Sequence, residues 1–107
     1  MADRVEITGY KYYVFSSRDD GAKAVIILSG DNGVIGYVHF SGGDRALLEA
    51  RRFDNGRYLL HYRYSELDDI VDMLRNEKPI FLIYQPEGSN NSRISTTSEP
   101  VGEGEED

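Results

Sequence analysis

The stretch ALLEARRFDNGRYLLHYRY, residues 46–64, decides how the rest of the chain can be arranged. Two runs of aliphatic, aromatic and basic residues flank Asp54-Asn55-Gly56. A triplet of this kind between such runs is a strong hairpin signal, because glycine accepts the left-handed backbone that a tight turn requires. With all three residues in the loop, Phe53 faces Arg57, and the pairs run Arg52 with Tyr58, Ala50 with Leu60 and Leu48 with Tyr62. One face of the hairpin is then mainly apolar. The other collects Glu49, Arg51, Arg57, His61 and Arg63, with Leu47, Phe53 and Leu59 between them. A two-residue loop would mix arginines into both faces, so the three-residue loop is the expected one.

Toward the N-terminus, Val34 to Phe40 reads as a strand joined through a second Asp-Asn-Gly, residues 31–33, to Lys23–Ser29. Within that segment Ala24 to Leu28 is apolar at every position, which predicts a central strand covered on both faces. Residues 5–15, VEITGYKYYVF, are β-branched and aromatic and predict one first strand, followed by a turn cluster at 16–21. Ser41-Gly42-Gly43-Asp44 turns the chain into 46–53. Pairing each strand with its neighbour in sequence gives a five-stranded antiparallel meander. The two Asp-Asn-Gly turns stand 23 residues apart, but their flanks share little beyond hydrophobicity and are twin hairpins, not a repeat.

Toward the C-terminus, Leu67, Ile70, Val71 and Leu74 fall at helical spacing. Ser65 is suited to cap the helix, Glu66, Asp68 and Asp69 favour its positive end, and Pro79 prevents continuation. Ile80–Tyr84 reads as another buried strand, Gly88–Asn91 as a loop and Arg93–Ser98 as a weak edge strand. The expected fold is α+β over residues 1–98: an antiparallel meander of about five strands, one helix over about 66–76 packed on the sheet, then one or two closing strands.

The chain has 107 residues and a formal charge of −7, from 19 acidic and 12 basic residues. From residue 86 onward, six acids stand against Arg93 alone; the first 85 residues carry only −2. The last residues, 99–107, combine Gly and Glu with little apolar surface and are expected to be a disordered acidic tail. Zero cysteine removes thiol nucleophiles, disulfides and thiolate zinc sites. The longest apolar run, Ala24 to Leu28, falls far short of a membrane span, and the N-terminus lacks an apolar signal region, so a soluble, cytoplasmic protein is expected. The glycines have no phosphate-loop context, no G-x-S-x-G occurs, and the helix-start acids have a dipole explanation, so neither cofactor nor metal is expected.

Three functional readings stay open. The first is a non-enzymatic interaction module that pairs with a protein partner or with itself as a homodimer, through a strand edge or a Tyr/Arg-rich sheet face. The second is a nucleotide or single-stranded nucleic-acid binder built on Arg51, Arg57, Tyr58, His61 and Arg63. Residues 45–63 carry a local +3, and arginine with aromatics on a sheet can hold phosphates and stack bases. The third is a small metal-independent hydrolase or ribonuclease with Glu49 and His61 as base and acid. The same residues also fit an ordinary solvated strand face with cross-strand charge pairs.

Overall fold

A computed structural model of the chain describes residues 3–16, 22–43, 46–86 and 91–96. Over these described residues it is an α+β fold of eight strands in two mostly antiparallel sheets with one helix packed on them. The strands are β1 (Asp3–Ile7), β2 (Gly9–Val14), β3 (Ala22–Gly30), β4 (Gly33–Ser41), β5 (Arg51–Arg52), β6 (Tyr58–Arg63), β7 (Ile80–Tyr84) and β8 (Arg93–Thr96). A 3-10 turn, Tyr64–Glu66, leads into helix α1, Leu67–Asn76. The acidic tail expected at 99–107, most of the turn at 16–21 and most of the loop at 88–91 lie outside the described residues.

The larger sheet has the order β2-β3-β4-β6-β5, and β6 runs parallel to β4. The simple meander is therefore wrong at one step: the β5–β6 hairpin forms, but swings over so that β6 docks on β4 and β5 takes the edge. Composition explains the choice. β6 holds Leu59 and Leu60, which gain by burial between two strands, whereas Arg51 and Arg52 of β5 stay exposed at an edge and guard it. The loop is as expected, with Gly56 at φ 87°. Phe53 N–H donates to the Arg57 carbonyl at 2.8 Å, and Arg52 pairs with Tyr58. The arm before it is shorter than expected: residues 46–50, ALLEA, are outside the ladder, with Leu48 72% exposed. Alanine, leucine and glutamate in that arm have little β preference.

The single strand expected over 5–15 is two strands in two sheets. β1 joins β7 and β8 in the order β1-β7-β8, while β2 pairs with β3. The residue pattern requires a break, because Val5 and Ile7 pack toward the core at odd positions and Tyr10 at an even one. A continuous strand would turn one set outward. Thr8 occupies the break, its N–H donating to the Ser29 carbonyl at 2.8 Å.

One core joins both sheets and the helix. Ala24, Ile26 and Leu28 of β3, Val38 and Phe40 of β4, and Leu60 of β6 meet Leu67, Ile70, Val71 and Leu74 of α1 and Leu82 of β7. Each large apolar side chain buried this way contributes about 1.5–3 kcal/mol. Two tyrosines tie the sheets together: the Tyr58 hydroxyl donates to Asp3 Oδ2 at 2.7 Å, and Ile94 N–H donates to the Tyr62 hydroxyl at 3.2 Å. Burial raises the pKa of both phenols, and for Tyr58 the Asp3 carboxylate adds to the shift. Ser65 is not the helix cap. Glu66 holds that position without a side-chain cap bond, and its carboxylate instead accepts from Arg63 N–H at 3.4 Å. β3 is also not covered on both faces, since Val25 and Ile27 remain half-exposed.

Docking β6 against β4 brings backbones close at Gly36, where an added Cβ would stand 2.6 Å from the Tyr58 carbonyl oxygen. Both groups belong to a paired ladder and have little room to yield. Gly36→Ala is expected to cost about 1–3 kcal/mol, read as a lower urea midpoint. An unchanged midpoint would contradict this strand pairing.

Candidate binding face

Strand alternation fixes what each side of the larger sheet presents. The core side takes Ala24, Ile26, Leu28, Val38, Phe40, Tyr58 and Leu60, all buried. The other side, here the outer face, is half-exposed at Val25, Ile27, Tyr37, His39 and His61. Two rows of directly paired residues cross it. One runs Tyr13, Val25, His39, His61; the other runs Lys11, Ile27, Tyr37, Leu59, Arg51.

Four of the six residues singled out in the sequence share this face. Arg51 pairs with Leu59, which lies between Arg57 and His61 at alternate positions, and Arg63 follows at the same parity. Tyr58 is not among them. It is 6% exposed on the core side, its hydroxyl turned to Asp3. An apolar ring with one hydroxyl fills a junction between sheets well, provided the hydroxyl finds a partner. Glu49 lies beyond the end of β5, so the cross-strand pair expected with His61 does not form. The two line one cleft of about 250 Å³ with Leu47, Leu48, Ala50 and Ser92, but no hydrogen bond or ion pair joins them.

The parallel pairing brings in residues that the sequence could not place. His39 comes beside His61, ring centroids 5.7 Å apart and nearly perpendicular. Tyr37 comes within reach of Arg57, whose Nη1 donates to the phenol oxygen at 3.0 Å. The Arg51 guanidinium sits 4.8 Å from the Phe53 ring centroid, and Lys11 Nζ 5.8 Å from that of Tyr13. Arg63 Nη1 donates to the Gly43 carbonyl at 3.4 Å. The alternation of Tyr37 and His39 along β4 was visible in the sequence; which strand they would meet was not.

Charge is distributed in a way that composition conceals. None of the 19 acidic residues lies in any of the five strands of the larger sheet. Among the described residues, five acids cluster around the helix, at Glu66, Asp68, Asp69, Asp72 and Glu77. The outer face therefore offers Lys11, Arg51, Arg57 and Arg63 with no carboxylate from its own strands. Among the described residues, no group of three or more His, Asp or Glu could hold a metal, and no helix is long and apolar enough to cross a membrane.

Burial lowers the pKa of His61 below its usual 6.5, so at neutral pH the ring is uncharged. Because the unfolded chain binds this proton more readily, the contribution of neutral His61 to stability is complete above about pH 6.5 and declines as pH falls toward the folded value. His61→Gln is expected to lose less stability than the parent between about pH 7 and pH 5 in urea titrations. Parallel losses in the two proteins would contradict the buried, neutral ring. No family model matches the chain, and comparisons with curated proteins and with solved structures find no match.

Proposed function

We propose that the protein is a non-enzymatic binding module that takes up an anionic partner on the outer face of its larger sheet. The absence of every carboxylate from the five strands, in a chain of net charge −7, carries this reading. Four cations surround a half-exposed patch of rings and aliphatic side chains, and such a surface combines charge attraction with apolar contact. Catalysis by Glu49 and His61 has less support: the two share a cleft but no hydrogen bond, and neutral His61 is the weaker proton donor at pH 7. Titration with inorganic polyphosphate, followed by backbone amide shifts, is expected to perturb β4, β5 and β6. A double change Arg51→Gln and Arg57→Gln is expected to weaken binding about tenfold, and added salt to weaken it further. Shifts centred on the helix, or binding indifferent to salt, would contradict the reading.

The β2 edge supports a second reading, self-association of two copies. Tyr12, Tyr13 and Val14 are 42, 46 and 50% exposed, and Lys11 is the only charge on the strand. Such an edge is open to strand pairing. Sedimentation equilibrium is expected to give a homodimer that Val14→Lys converts to monomer; a parent protein monomeric at high micromolar concentration would rule this out.

A further inference from the structure

We infer that the anionic partner is single-stranded nucleic acid, with bases resting on the Tyr13, His39, His61 row and phosphates drawn to Lys11, Arg51, Arg57 and Arg63. The inference rests on the reading of the outer face as an anion-binding surface, and it adds what the ligand must carry besides charge. Three of the four residues in the first row have flat π systems, and the fourth, Val25, is aliphatic. The parallel row places a cation at each end, Lys11 on β2 and Arg51 on β5. Residues two apart on a strand are separated by about 6.6 Å. A strand laid across the sheet can therefore set bases over one row while its backbone follows the other.

The chemistry of the rings separates this ligand from other polyanions. His61 is uncharged at neutral pH because it is partly buried, and its ring stands nearly perpendicular to that of His39, so the pair offers a base one ring face and one ring edge without adding positive charge from His61. The Tyr37 hydroxyl already accepts from Arg57, which holds that guanidinium over the sheet. An acidic peptide or an inorganic polyanion would use the cations and add no stacking contact to the rings. Duplex DNA would present phosphates while hiding its base faces. Unpaired bases use both sets, since every base has a π face.

Fluorescence anisotropy with labelled oligothymidylate and oligouridylate of about 12 nucleotides tests this against a duplex of equal length, polyphosphate of equal charge and an oligoglutamate peptide. Single strands are expected to bind about tenfold or more tightly than polyphosphate, with stacking as the difference. Tyr13→Ser is expected to weaken the oligonucleotides about tenfold and leave polyphosphate unchanged. Arg51→Gln is expected to weaken both and reduce the salt slope for the single strands by about 0.7. Both positions are exposed, and a thermal midpoint equal to the parent's verifies folding. Polyphosphate, duplex or oligoglutamate binding as tightly as the single strands would overturn the inference while leaving the anionic face intact. Oligonucleotide binding that survives both substitutions would overturn it by placing the contact elsewhere. No binding by any anion would remove the underlying reading as well.

Discussion

The insertion of β6 beside β4 is the constraint from which the rest follows. Gly36 permits it, because only a residue without Cβ leaves room for the Tyr58 carbonyl. Once the strands run parallel, the register places Tyr37 beside Leu59, His39 beside His61 and Phe40 beside Tyr62. The same step turns Tyr58 and Leu60 into the core and holds Arg57, His61 and Arg63 on the outside. It also demands a long crossover, because parallel neighbours cannot be joined by a tight turn. Residues 42–57 make that connection, and β5 is what remains of it as an edge.

The acid-free sheet accounts for how a chain of net charge −7 could attract an anion. Charges separated by more than about 8 Å at physiological salt are largely screened where water reaches them. The helix acids lie across the core, so they act weakly on a ligand at the outer face. Lys11, Arg51 and Arg57 act at contact distance. Net charge is thus a poor guide to local attraction whenever a sheet separates the signs, and it describes solubility better than binding. Neutral His61 fits the same division, because a partly buried ring beside His39 contributes surface instead of charge.

Local features were legible in the sequence; the order of strands was not. The Asp54-Asn55-Gly56 loop, the Arg52–Tyr58 register and the buried helix stripe Leu67, Ile70, Val71, Leu74 follow from short-range rules and appear as expected. The face shared by Arg51, Arg57, His61 and Arg63 follows too, since alternation depends only on register. Two errors have one origin. Periodicity reports which side a residue faces but not which strand lies beside it, so the meander hid both the parallel pairing and the position of His39. At residues 5–15, the density of β-branched and aromatic residues hid the change of parity between Ile7 and Tyr10. Tyr58 was placed with the site because aromatic and arginine residues alternate around it, although its own register put it on the opposite side.

The two edges of the larger sheet are treated differently, and the proposed ligand lies between them. At one edge β5 is only two residues long and both are arginine, a length and a charge that discourage another strand from adding. Where β5 stops, Glu49 and His61 border a cleft instead of continuing the ladder. At the other edge β2 is six residues long with adjacent exposed tyrosines. A ligand crossing from Tyr13 to His61 would begin at the open edge and end at the cleft, traversing every full-length strand of the sheet. A second copy paired on β2 would extend the same carboxylate-free face without covering it, because strand addition occupies the edge and leaves both faces in place. Strand pairing on β2 uses backbone groups and anion binding uses side chains, with Tyr13 the residue common to both readings.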